Sequence, residues 1–254
     1  MPRYKDTERE QLKGEARQRL LAAAIEEFAR EGYAHANVNR ISQAAGYAQG
    51  TIYNYFPSKR ALFEAAIEDI ASHIMAECRM MEKLVDDLLF LARADSHQNS
   101  LPMAEFSLSR VFEETVRSFE LIAAAENITL SWKSEPENQA ITLWGNETRI
   151  SQLLKILIDN AIKYNIEGGS VYIKAFRGEG KIVISVKDTG IGIAPEHLTR
   201  IFERFYRVDK GRSRSVGGTG LGLSIVKHIV NLYSGDIKVM SEPGKGTEFV
   251  VQLP

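Results

Sequence analysis

The sequence predicts a multidomain chain: an all-α head built round a helix-turn-helix, one long helix, and a C-terminal α/β unit. Three observations predict it. Residues 7–72 read as short helical patterns broken by Gly32, Gly46 and Pro57. Residues 70–95 hold neither Gly nor Pro. From 105 onward helix and strand patterns alternate, and fifteen of the nineteen glycines lie at or after position 145. The expected divisions are 1–69, 70–95, a linker at 96–104 carrying Ser96, Asn99, Ser100 and Pro102, and 105–254. With 254 residues, 44% of them apolar and 26% charged, the composition is that of a folded globular chain.

Composition also narrows location and partners. No apolar run approaches the roughly 18 residues of a membrane span, so no membrane partner is expected. The opening Met1-Pro-Arg-Tyr-Lys-Asp6 lacks the apolar core of a secretory signal. Cys78, the single cysteine, can form no internal disulfide, which fits a cytoplasmic location. The net charge is −1, yet residues 1–60 hold ten Lys/Arg against seven Asp/Glu, a positive balance confined to the head.

Within the head, Leu20, Leu21, Ala24, Ile25 and Phe28 recur at helical spacing in a segment ended by Gly32. Asn37 caps a second helix over 38–45, with Val38, Ile41, Ala44 and Ala45 on its apolar face. Gly46 permits a tight turn, and a third short helix is expected over 48–55. Its side chains Gln49, Thr51, Tyr53 and Asn54 are polar where a DNA groove would be met, while Ile52 and Phe56 face inward. Ser58 caps a fourth helix, beside Lys59 and Arg60 as phosphate partners.

The string Ile41-Ser-Gln-Ala-Ala-Gly-Tyr-Ala-Gln-Gly-Thr-Ile-Tyr-Asn-Tyr-Phe-Pro-Ser-Lys-Arg-Ala-Leu-Phe63 resembles the DNA-binding head of the TetR family of repressors. The resemblance covers about residues 15–70. It implies a homodimer reading double-stranded operator DNA as a pseudo-palindrome. The DNA-contacting set it points to is Asn37, Tyr47, Gln49, Thr51, Tyr53, Asn54 and Lys59. At Ala36-Asn37 the family usually shows hydroxyl residues, but Asn caps a helix equally well.

On the long helix, Ile70, Ile74, Met81, Leu84, Leu88 and Leu91 follow an a/d-like spacing suited to pairing with a second copy. It is therefore the expected dimerisation and signalling helix.

Farther on, Asp188-Thr-Gly-Ile-Gly192 follows an apolar strand at 182–186. A second glycine loop, 217–222, opens a helix carrying Ile225, Ile229 and Leu232. Backbone N–H groups at such a helix start suit phosphate oxygens. No strand precedes that loop, because 210–215 is polar and basic, which argues against a Rossmann unit. Upstream, Leu153, Leu157, Ala161 and Tyr164 share a helix with Asn160, whose amide oxygen suits Mg²⁺, and with Lys163, whose charge suits phosphate.

Together, Asp159-Asn-Ala-Ile-Lys-Tyr164, Asp188-Thr-Gly-Ile-Gly-Ile193, Ile201-Phe-Glu-Arg-Phe-Tyr-Arg207, Gly218-Thr-Gly-Leu-Gly-Leu223 and Gly244-Lys-Gly-Thr247 resemble the nucleotide-binding boxes of histidine-kinase ATPase domains. These belong to the GHKL fold shared with gyrase and MutL. The resemblance covers about 105–254 and implies an α/β sandwich binding ATP or ADP with Mg²⁺. Asn160 would hold the metal, Lys163 and Arg207 would meet the phosphates, and Tyr164 would lie against the nucleotide. Asp188 would accept a hydrogen bond from the adenine amine, with Gly190 and Gly192 letting the chain pass the base. Gly218, Gly220 and Gly222 would frame a lid over 210–222. Ile193, Tyr206, Thr219, Leu221 and Thr247 complete the implied set.

Two departures shape the functional expectation. The stretch 81–95 resembles the second helix of a kinase dimerisation hairpin. Yet none of the five histidines, His35, His73, His97, His197 and His228, has the acidic follower and nearby proline of a phosphoacceptor. His73 lies nearest, with Ser72 and Ile74 as neighbours. Where the family shows a further asparagine one turn before Asn160, and where other GHKL ATPases place a catalytic Glu, this chain has Ile156. The expectation is a dimeric one-component regulator that reads operator DNA and senses ATP or ADP. The alternatives are an ATP-dependent protein (histidine) kinase fused to a DNA-binding domain and a slow GHKL-type ATPase.

Overall fold

The computed structural model describes residues 3–95, 102–135, 141–178, 180–208 and 219–254. The chain forms two compact units, Met1–Lys83 and Leu84–Pro254. Most of the linker expected at 96–104 and most of the lid expected at 210–222 lie outside the described residues.

The first unit is all helical. Helix α1 (Arg3–His35) loses helical geometry at Gly32, whose φ of 71° ends the amphipathic segment where the sequence places its stop. Helix α2 (Val38–Ala44) starts at Asn37, whose side chain accepts the Asn39 N–H at 2.9 Å. The third helix expected over 48–55 is instead a single 3₁₀ turn, Thr51–Asn54. Gly46 and Gly50 both hold left-handed backbone (φ 81° and 88°), so no helix can run back from Thr51. Helix α3 (Lys59–Asp95) then starts at Ser58, whose Oγ accepts the Ala61 N–H at 3.1 Å. The fourth head helix and the helix expected at 70–95 are thus one element.

Leu20, Ala24, Ile41, Ile52, Phe56, Leu62 and Ala66 form the core of this unit. Glu27 is 4% exposed within it. Burial pushes its carboxyl up, but the Asn37 N–H, Arg40 and Arg30 together hold it below the usual carboxylate range. A buried carboxylate thereby ties α1 to the cap of α2.

The second unit is an α/β sandwich. After β1 (Ala104–Ser107) come α4 (Leu108–Ala125), β2 (Thr129–Glu135), β3 (Thr142–Gly145) and α5 (Glu147–Lys163). Then follow β4 (Ser170–Gly178), β5 (Lys181–Asp188), α6 (Pro195–Leu198), α7 (Gly222–Leu232), β6 (Asp236–Glu242) and β7 (Gly246–Leu253). The main sheet has the order β2-β4-β5-β7-β6, with β2 and β4 parallel and the other pairs antiparallel. Strands β1 and β3 form a separate antiparallel pair. This mixed sheet bears out the reading against a Rossmann unit.

The period-two burial of β4 (Val171, Ile173, Ala175) and β7 (Phe249, Val251, Leu253) turns one sheet face toward α4, α5 and α7. The core between them includes Phe112, Leu153, Leu157, Ile225 and Ile229. Burying that apolar area is the main stabilising term. Phe90 and Leu91, from the end of α3, belong to the same core.

Candidate functional site

The site is built where α5 ends and β5 leaves the sheet. The apolar positions Leu153, Leu154, Leu157, Ile158 and Ala161 are buried, which turns Asn160 and Lys163 away from the core and leaves Ile156 half-buried at its edge. Ile156 and Asn160 share a face, one turn apart. A Cβ added at Gly222 would lie 3.0 Å from Ile156 Cγ2, so this face meets the start of α7. Ile156 thus puts a hydrocarbon side chain where the resemblance implies an amide.

At the end of β5, Asp188 is 6% exposed. Its Oδ1 accepts two backbone N–H groups, from Gly190 at 2.8 Å and Thr247 at 3.1 Å. Its Oδ2 has no partner among the described residues. Burial pushes the carboxyl above the usual range, against the two hydrogen bonds, which lower it. The arrangement is an acceptor held in place with one oxygen left for a ligand donor.

The following loop is pressed between two backbones. A Cβ on Gly190 would lie 2.2 Å from the Tyr164 carbonyl oxygen. On Gly192, where φ is 69°, it would lie 2.1 Å from that of Glu242. The Ile191 N–H donates to Tyr164 O, and Ile191 O accepts the Gly244 N–H. These glycines therefore let protein chain pass protein chain. Behind the loop, Thr189 Oγ1 reaches Asn165 Oδ1 at 3.3 Å and accepts the Ser170 N–H at 2.8 Å.

Several implied ligand residues have partners inside the protein. Lys163 Nζ bonds Asp159 Oδ2 at 2.7 Å, so its charge is already half answered. Tyr206 Oη pairs with His197 Nδ1 at 2.7 Å, and Arg200 lies over its ring at 4.2 Å. The tyrosine thus closes the 195–206 loop. Leu221 is fully buried in the core, so its side chain cannot meet a ligand. Ile193 packs half-buried on the same core, and its N–H donates to Ser241 Oγ at 2.8 Å. Thr247 Oγ1 pairs with that Ser241 hydroxyl at 2.8 Å, leaving its backbone N–H for Asp188.

Tyr164 is exposed beside the Gly190 loop. Thr219 Oγ1 accepts the Leu221 N–H at 3.3 Å. Gly220, with φ of 75°, abuts the Phe205 backbone, and its carbonyl accepts the Phe205 N–H at 2.9 Å. That contact brings the segment of Tyr206 and Arg207 to the start of α7. Gly218 lies outside the described residues. Among those residues no group of three or more His, Cys, Asp or Glu could hold a metal ion.

Sequence reading missed how this unit grips the end of α3. Asp87, 6% exposed, accepts from Gln152 Nε2 at 3.5 Å. Arg149 lies 3.9 Å over the Phe90 ring and donates to Gln152 Oε1 at 2.7 Å. His228 of α7 meets Phe90 edge-on at 5.0 Å. The apolar pattern along this helix included Leu84 and Leu91 but not Phe90. Of the seam, Leu84 and Leu91 turn into this core, whereas Ile70, Ile74, Met81 and Leu88 are exposed.

In the first unit, Gln49, Tyr53 and Asn54 stand exposed on and before the 3₁₀ turn, with Thr51 half-buried. Tyr47 packs half-buried on the head core. Asn37 uses its side chain for the α2 cap. Lys59 Nζ donates to Ala34 O at 3.1 Å and lies over the Tyr33 ring. His73 is exposed, and Asp69, one turn earlier, supplies the acidic neighbour that Ser72 and Ile74 do not: its Oδ2 is 3.4 Å from Nδ1.

Comparisons with known proteins agree with this division. Residues 20–66 match the model of bacterial regulatory proteins, tetR family. Residues 145–254 match the histidine kinase-, DNA gyrase B- and HSP90-like ATPase model. The sensor histidine kinase RppB of Synechocystis is 40% identical over 69% of this chain and 38% of its own. The sensor-like histidine kinase SenX3 of Mycobacterium tuberculosis is 35% identical over 74% of this chain and 45% of its own. The chain thus spans less than half the length of these relatives. Among solved structures, the nucleotide-free catalytic domain of histidine kinase ThkA covers 61% of this chain and 96% of its own, at 28% identity and a TM-score of 0.54. Full-length ShkA in complex with AMPPNP covers 77% and 38%, at 29% identity and a TM-score of 0.60. Among the described residues no helix is long and apolar enough to cross a membrane.

Proposed function

From a chain that joins a tetR-family N-terminal domain to a histidine-kinase-like ATPase domain, we propose a dimeric, cytoplasmic regulator whose grip on operator DNA depends on bound ATP or ADP. The observation that carries the reading is Asp188, a buried carboxylate with Oδ1 satisfied by two backbone donors and Oδ2 left for an exocyclic amine. Asn160 would hold Mg²⁺, which helps neutralise the phosphates when bound. Lys163 and Arg207 would add charge, and Tyr164 would flank the base.

Transmission runs through α3. Leu62 and Ala66 of this one helix are head core, and Phe90 and Leu91 are ATPase core. The helices that grip Phe90 are α5, which carries Asn160, and α7, which starts at Gly222. A ligand that orders 219–222 or shifts α5 would thus act on α3 directly. The exposed row Ile70, Ile74, Met81 and Leu88 supports pairing with a second copy.

A second reading, an ATP-dependent kinase, is favoured by one contact, the Asp69–His73 pair on an exposed helix face. Incubation with γ-labelled ATP separates the readings. The regulator binds nucleotide and yields neither labelled protein nor free phosphate. Acid-labile label on His73, lost in His73→Gln, would establish the kinase, and free phosphate alone would establish an ATPase.

A further inference from the structure

Helix α1 begins at Arg3, whereas the tetR-family match begins at residue 20. The added turns place Lys13, Gly14 and Arg17 against Asn54 and Tyr55, around a cleft of about 430 Å³. Gly14 has no neighbour within 4 Å of a would-be Cβ, so the cleft wall there is open. Both basic side chains are exposed, and neither forms an ion pair among the described residues. Arg17 is also held in place: its guanidinium lies 5.1 Å over the ring of Phe56, a residue buried in the head core. A cation fixed by an aromatic face at the lip of a cleft loses less conformational entropy when an anion arrives.

We infer that this cleft seats a DNA backbone phosphate, with Lys13 and Arg17 as its cationic walls and Asn54 as a neutral donor. The inference rests on the proposed DNA-reading role of the head and names two phosphate-binding residues that lie upstream of the family match. Phosphate contacts set the register of the protein on the duplex while Gln49 and Tyr53 remain free for base edges. An acidic cleft floor would argue against this, but the lining holds no carboxylate. Glu10 and Glu15 of the same helix are exposed and lie outside the lining.

The test is a salt titration of the full chain on a random-sequence duplex, with helicity followed by circular dichroism. The slope of log K against log[salt] counts the phosphates neutralised, so emptying this one phosphate seat in K13A/R17A should lower the slope by about 1 per head. K13R/R17K should restore most of it. Arg19→Ala removes a charge from the same helix outside the cleft and should leave the slope nearly unchanged. An unaltered slope in K13A/R17A, with wild-type binding intact, would overturn the inference while sparing the DNA-reading role. An equal fall per charge in Arg19→Ala would also overturn it, leaving only diffuse attraction. Absence of any wild-type binding would defeat the DNA-reading role and this inference with it.

Discussion

Asp188→Asn should weaken ATP binding by at least 5- to 150-fold, the roughly 1–3 kcal/mol of a buried donor left unpaired, without unfolding the domain. The geometry dictates which way the amide turns. Oδ1 must keep accepting the Gly190 and Thr247 N–H groups, so the new NH₂ takes the place of Oδ2. A donor then faces the adenine amine. The empty domain should be no less stable at neutral pH, because burial raises the Asp188 pKa. For a carboxyl with a raised folded pKa, the stabilising contribution is present below the unfolded value and lost as pH rises through the folded one. The ionised form is therefore the strained one, and Asn removes it.

The same shift gives nucleotide affinity a pH dependence of opposite sense. With Oδ1 occupied, a proton added to Asp188 goes to Oδ2 and converts the free acceptor into a donor. Affinity should fall on acidification, beginning above the usual aspartate range of about 3.9. Calorimetric titrations of wild type and Asp188→Asn across pH check both statements; in the variant only the dependence set by the nucleotide's own phosphate titration should remain.

Phe90→Ala should be the second large effect. Emptying the site of a buried phenylalanine costs about 3–5 kcal/mol, and here it also removes the ring under Arg149 and beside His228. Thermal unfolding of the C-terminal unit reads the loss. Phe90→Leu keeps most of the volume and should cost about 1.5 kcal/mol or less, while still removing the ring from Arg149 and His228. ATP affinity should change little in Phe90→Leu, since Asp188 and Asn160 are untouched. Its operator affinity should no longer respond to nucleotide. A full response in that variant would show that coupling does not pass through this grip.

Much of this site was legible in the sequence because its parts are local. Asn160 lies on a helix whose period is declared by Leu153, Leu157 and Ala161, and Asp188 ends a strand of five consecutive buried residues, 182–186. The glycine boxes were also visible, but the reason for Gly190 and Gly192 was not. Backbone crowding by Tyr164 and Glu242 depends on chain segments 26 and 50 residues away in sequence. For the same reason Leu221 read as a loop residue beside a ligand, whereas its side chain is drawn into the core.

The head shows a second kind of miss. Gly46 read as a turn residue, but Gly50 was placed inside the helix expected over 48–55; its left-handed backbone, together with that of Gly46, shrinks that helix to one 3₁₀ turn. Lys13 and Arg17 lie four apart in the sequence, with nothing in their local pattern to set them off from other surface charges. What they border became visible only once α1 was laid beside the 3₁₀ turn.

The proposal that nucleotide sets DNA affinity is tested most directly by measuring operator Kd in the presence and absence of saturating ATP·Mg²⁺. A coupling of about 1–3 kcal/mol would shift Kd about 5- to 150-fold, and Asp188→Asn should need correspondingly more nucleotide to produce the same shift. Identical Kd values for wild type, with nucleotide demonstrably bound, would contradict the account.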